Sequence, residues 1–161
     1  MLAYRKDHPK LDLRRDLHFL LETFPQRNGE GRLRYLLDGP IVFFLNQPEI
    51  DQPGSIDLLT SHDILIREFA HVEGFQTTKV EDWLKNRDLN HNRDAKELLL
   101  QTYTIVRWEE RLIHVLHPVA VAAGILLSQP EMEDQRFPGV SQEEIDAFIK
   151  KFQRRWQSLD Y

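Results

Sequence analysis

Gly39-Pro40 divides the apolar run between Leu33 and Leu45, and no regular element passes straight through that dipeptide. Glycine takes backbone angles closed to other residues, and proline lacks the N–H that a strand ladder or a helix interior requires. The residues before it, Arg32-Leu33-Arg34-Tyr35-Leu36-Leu37-Asp38, read as a strand. Ile41 to Asn46 read as a short helix, with Pro40 at the first helical position, where a missing N–H costs nothing. Gln47 to Gly54 carries two prolines and a glycine and reads as a loop; Ser55-Ile56-Asp57-Leu58-Leu59 then reads as a second strand.

The flanking chain mixes both element types. Leu13, Leu17, Leu20, Leu21 and Phe24 follow helical spacing over residues 11–24, before the turn Asn28-Gly29-Glu30-Gly31. Thr60 or Ser61 is positioned to cap a helix running through Ile64, Leu65, Glu68, Phe69 and Val72 to a stop at Gly74. Phe75 to Val80 is strand-like, and residues 81–95 form a charged, Asn-rich helix or loop around Trp83. Leu98 to Val106 is rich in strand formers, and Trp108-Glu109-Glu110-Arg111 turns it back into Leu112 to Leu116 as a hairpin. Val119 to Leu127 reads as an apolar helix and Gln129 to Gly139 as a loop. Ser141-Gln142-Glu143-Glu144 fits a capping box opening a last helix over 141–157, with Ile145, Phe148, Ile149, Phe152 and Trp156 on one stripe. The expectation is one α+β domain over 1–161, a small mixed β-sheet covered by helices.

Composition narrows the chemistry. With 161 residues and 41% hydrophobic side chains, the chain is long enough to bury a core unaided. It has no cysteine, which excludes disulfides, thiolate catalysis and cysteine-ligated zinc. A net charge of −5 gives no global attraction for a phosphate backbone, so no strong nucleic-acid signal is present. Lys150, Lys151, Arg154 and Arg155 share their helix with Glu143, Glu144 and Asp146 and read as a solvated face. The N-terminus has no secretory pattern, and Val119 to Leu127 is about half a membrane span, so the expectation is a soluble, cytoplasmic protein.

Tyr35-Leu36-Leu37-Asp38-Gly39-Pro40-Ile41-Val42-Phe43-Phe44-Leu45, followed after the loop by Gly54-Ser55-Ile56-Asp57-Leu58-Leu59-Thr60, resembles the nucleotidyltransferase fold, especially the minimal and abortive-infection-type enzymes. That family has a strand ending in Gly-Gly or Gly-Ser, a short helix, a loop and a strand carrying Asp-x-Asp. Ile113-His114-Val115-Leu116-His117-Pro118-Val119-Ala120-Val121-Ala122-Ala123 is similar to the family's turn into an Ala/Leu-rich helix. The resemblance implies a nucleotidyltransferase-like core over about 11–127, with Asp57 as catalytic and metal-binding residue and Gly39 and Ser55 at the nucleotide. Closely spaced carboxylates would hold Mg²⁺, which bridges phosphate oxygens and activates the nucleophile.

Several positions depart from the family pattern. Ser55 stands where the family has its first aspartate, and Pro40 where it has Gly or Ser, removing an N–H and a hydroxyl. The third carboxylate has only Glu97, Glu109 and Glu110 as candidates, and Gly124 stands near the family's helical lysine. The resemblance therefore implies a catalytically degenerate domain acting by binding a protein partner or a nucleotide. An active, divergent Mg²⁺-dependent enzyme, in which Asp51 swings in from the loop beside Asp57, stays open, as does an unrelated α+β interaction domain. His114 and His117 are three apart on a strand, hence on opposite faces, and form no ready metal pair.

Overall fold

Leu36 and Leu37 are neighbours in a strand, so their side chains point to opposite faces, and both are completely buried. The strand that carries them is covered on both sides and sits in the middle of the sheet. The computed structural model describes residues 1–153. Trp156, Arg154, Arg155 and the end of the expected last helix lie outside the described residues.

The sheet has five strands: β1 (Tyr35–Asp38), β2 (Ile56–Thr60), β3 (Phe75–Lys79), β4 (Tyr103–Trp108) and β5 (Arg111–Leu116). Their spatial order is β3-β2-β1-β5-β4. β1 runs antiparallel to β2 and parallel to β5, while β2 runs parallel to β3 and β4 antiparallel to β5. The mixed α+β architecture expected from the sequence is what is found, and the strands on either side of Gly39-Pro40 and the following loop are direct neighbours.

Helices α1 (Leu2–Asp7), α2 (Leu13–Thr23), α3 (Pro40–Asn46), α4 (Asp63–Phe69), α5 (Val80–Lys85), α6 (Arg93–Gln101), α7 (Pro118–Ser128) and α8 (Gln142–Phe152) surround it. On one face the Tyr35 hydroxyl donates to the Phe24 carbonyl just after α2, and Phe69 of α4 packs between Phe24 and Phe75. On the other, Trp83 of α5 lies so close to Gly124 of α7 that a Cβ there would meet its ring at 2.5 Å. Gly124 thus lets two helices touch. The buried apolar side chains form one cluster. No helix among the described residues is long and apolar enough to cross a membrane.

Two local expectations change, and the N-terminus adds a helix to which the sequence reading assigned no element. Leu98-Leu99-Leu100 belong to α6, not to a strand, because the Asn92 side chain caps a helix by accepting from the Ala95 N–H, and Ala95 and Leu99 bury one face of it. Helix α4 is not capped by Thr60 or Ser61; the Thr60 hydroxyl is drawn into the sheet, donating to the Arg34 carbonyl and accepting from the His62 N–H. Finally, the polar N-terminus forms α1 and is clamped to α2. Asp16, fully buried, accepts from the Tyr4 hydroxyl and the Asp12 and Arg15 N–H groups and pairs with Arg5 at 3.0 Å. The capping box at Ser141 and Glu144 forms as expected.

Burial alone would raise the Asp16 carboxyl, but Tyr4, the Asp12 N–H, Arg5 and Arg15 outweigh it and hold it below its usual range. A depressed native pKa stabilises the fold above the unfolded value near 4 and is lost as pH falls below it. Asp16→Ala leaves Arg5 buried without its counter-charge, with an expected cost of ~3–5 kcal/mol. Urea denaturation at neutral pH measures that loss, which shrinks as pH is lowered through the carboxylate range.

Candidate functional site

The register of β1 on β2 places Asp38 directly opposite Asp57. Cross-strand partners point to the same face, so both carboxyls emerge together at one end of the sheet. Gln76 pairs with Asp57 and Thr78 with Leu59, which adds an amide and a hydroxyl from β3 to that face. A cavity of about 280 Å³ opens above them. Trp83 and Arg87 form one wall; Val121, Ile125 and Ser128 of α7, with Gln129 and Met132, form the other.

Three of the four carboxylate oxygens of Asp38 and Asp57 have a donor from the protein. Asp38 accepts from the Gly39 N–H at 2.7 Å through one oxygen and from the Trp83 indole N–H at 2.9 Å through the other. Asp57 accepts from the Ser55 hydroxyl at 2.7 Å through Oδ1. Oδ2 of Asp57 faces Gly39, and a Cβ there would overlap it. Gly39 has φ 76° and ψ −165°, a region that only glycine occupies readily. The Arg87 guanidinium stacks over the Trp83 ring, 4.1 Å from its centre, and donates to the Gly124 and Trp83 carbonyls.

Burial raises the Asp38 carboxyl, against the pull of Arg87, the Gly39 N–H and Trp83. Asp57 is pushed up to about 6, by burial first, with the Ser55 hydrogen bond lowering it and the neighbouring Asp38 raising it. Burial in turn lowers Arg87, and Asp38 partly restores it. Two carboxyls held above their ordinary range beside a half-buried guanidinium in a cleft make this the candidate site.

Of the residues selected from sequence, Asp57, Gly39 and Ser55 meet here, with the Gly39 N–H and Ser55 hydroxyl already engaged by the two aspartates. Asp51 is exposed in the loop between α3 and β2 and does not line the cavity. The carboxylate beside Asp57 is Asp38, which sequence reasoning treated only as the end of a strand. Its signal was its place immediately before Gly39, and only the register turns that place into a partnership. Glu97 pairs with Arg93 on the surface of α6. Glu109 and Glu110 form the left-handed turn between β4 and β5, where Arg14 and His18 hold Glu109. No group of three or more His, Asp or Glu side chains among the described residues is arranged to hold a metal ion. His114 lies on β5, whereas His117 caps α7 by accepting from the Val119 N–H.

Comparisons of the chain with protein-family models, with curated proteins and with solved structures gave no match.

Two outcomes follow from this geometry. Because the native Asp57 carboxyl titrates above its unfolded value of 3.8, its protonated form favours folding, and stability is lost as pH rises through about 6. Asp57→Asn keeps an acceptor for Ser55 and removes the charge, so it should flatten that loss and stabilise the fold above pH 6 by ~2–3 kcal/mol. Melting curves from pH 4 to 8 for both proteins measure the difference. Gly39→Ala combines a glycine-only conformation with overlap on Asp57, and should lower stability by at least ~2 kcal/mol in the same assay.

Proposed function

We propose that this chain is a nucleotidyltransferase-like domain that has lost transfer chemistry and acts by binding, using the cavity over Asp38 and Asp57. One observation carries the reading: the floor is hydrogen-bonded to itself. Both Asp38 oxygens are committed to the protein, Ser55 spends its hydroxyl on Asp57, and Gly39 spends its N–H on Asp38. Two-metal phosphoryl chemistry needs carboxylate oxygens free to bridge cations. Of the four carboxylate oxygens there, Asp57 Oδ2 alone accepts no hydrogen bond among the described residues. What remains is a recognition surface. Arg87, Gln76, Thr78, Ser128 and Gln129 offer charge and hydrogen bonds, and Val121, Ile125 and Met132 offer apolar area. The order of strand, glycine turn, short helix, loop and antiparallel strand supports the kinship.

An active Mg²⁺-dependent transferase is the second reading, and the adjacency of Asp38 to Asp57 favours it. In that case Asp38 takes the part that the sequence left to Asp51, with Mg²⁺ drawing both carboxyls into their charged form.

Calorimetry with ATP, GTP, CTP and UTP, with and without Mg²⁺, separates the two, together with a radiolabel-transfer assay. The binding reading expects saturable heat for at least one nucleotide, weakened about ten-fold or more in Arg87→Ala, and no label transfer. Mg²⁺-dependent transfer that disappears in Asp57→Ala overturns it in favour of the enzyme.

A further inference from the structure

At the edge of the sheet remote from the cavity, β4 pairs with β5 alone. No backbone hydrogen bond outside that ladder reaches Tyr103–Trp108 among the described residues. Edge strands of folded proteins are ordinarily guarded by proline, lysine, a bulge or inward charge. Tyr103-Thr104-Ile105-Val106-Arg107-Trp108 consists almost wholly of strand-forming residues and carries neither proline nor glycine. The edge is a ready template for another strand.

Its outward face is specific. Ile105 is 50% exposed and Leu112, across the hairpin, 65%. Ile105 lies opposite His114, and Arg107 opposite Leu112, so these four share one face with Tyr103. Two arginines flank the apolar centre. Arg107 is exposed and makes no side-chain ion pair or hydrogen bond among the described residues. Arg27 donates to the Gly31 carbonyl, reaches the Tyr103 hydroxyl at 3.3 Å and sits 3.1 Å from His114 Nε2, with no carboxylate partner among the described residues. Of the acids around the hairpin, Glu22 pairs with Arg111 and Glu109 with Arg14 and His18, while Glu110 lies in the turn beyond Trp108. In a chain of net charge −5, two uncompensated cations beside an exposed isoleucine on an open edge are an asymmetry that selects a partner.

We propose that β4 docks an extended acidic segment of a protein partner by strand addition, with an aliphatic side chain on Ile105 and carboxylates on Arg107 and Arg27. Backbone hydrogen bonds to the edge supply affinity, and alternate side chains supply selectivity. A second copy of this chain fits poorly. Two-fold pairing centred on Ile105 brings Arg107 of one copy beside Tyr103 and Arg27 of the other, which sets like charges together. This docking stands apart from the cavity reading, because the cavity is lined by β1, β2 and β3 and not by β4.

The test uses the full ¹⁵N-labelled chain and the peptide acetyl-Thr-Glu-Thr-Ile-Thr-Glu-Thr-amide, with a control carrying lysine in place of both glutamates. Titration to millimolar peptide is expected to shift the Tyr103–Trp108 amides, with the lysine peptide at least about ten-fold weaker. Arg107→Glu, an exposed change whose fold is checked by circular dichroism, is expected to reverse that preference. Sedimentation of the unbound chain is expected to show a monomer. Three results overturn the proposal: no shifts at β4, equal binding of both peptides, or a dimer dissolved by Ile105→Lys, which assigns the edge to a second copy.

Discussion

Two carboxyls stand side by side because β1 and β2 run antiparallel in one register, and that end of the molecule is organised around the cost of keeping them there. Like charges at adjacent cross-strand positions repel, and burial adds a penalty to each. The fold answers with donors: the Gly39 N–H and the Trp83 indole on Asp38, the Ser55 hydroxyl on Asp57. Arg87 supplies the nearby positive charge, and its own burial is offset by two backbone carbonyls and the face of Trp83. Burial prevails, and both carboxyls remain raised.

Glycine appears at the two places where this arrangement leaves no room. At Gly39 the chain leaves β1 through a conformation that only glycine adopts readily, and Asp57 occupies the space a side chain would fill. At Gly124 the Trp83 ring takes that space. Any side chain there would collide with the tryptophan that fixes Asp38. These positions are thus coupled to one another through contact: the glycine at 124 permits Trp83, Trp83 engages Asp38, and Asp38 confronts Asp57.

The two ends of the sheet have opposite characters. The β1–β2–β3 side gathers buried, self-satisfied polar groups beneath a cavity. Among the described residues, the β4 side presents an unpaired backbone edge, exposed aliphatic residues and arginines without acidic partners. The N-terminal clamp of Arg5 on Asp16 belongs to neither; it closes α1 and α2 over the face that carries Tyr35 and Phe75.

The sequence by itself determined the break at Gly39-Pro40, the strands around it, the hairpin at Glu109-Glu110 and the capping box at Ser141, because each is a local preference of a few neighbouring residues. It misjudged Leu98 to Leu100, where strand propensity lost to the Asn92 cap and a buried helical face. It passed over Asp38 and favoured Asp51, since both lie near Asp57 only by guesswork until the pairing register is known. Register is set by which apolar residues face the core along both strands at once, a cooperative property of the folded sheet. For that reason tertiary structure alone decided which carboxylate meets Asp57, which donors quiet the pair, and which edge of the sheet is left open.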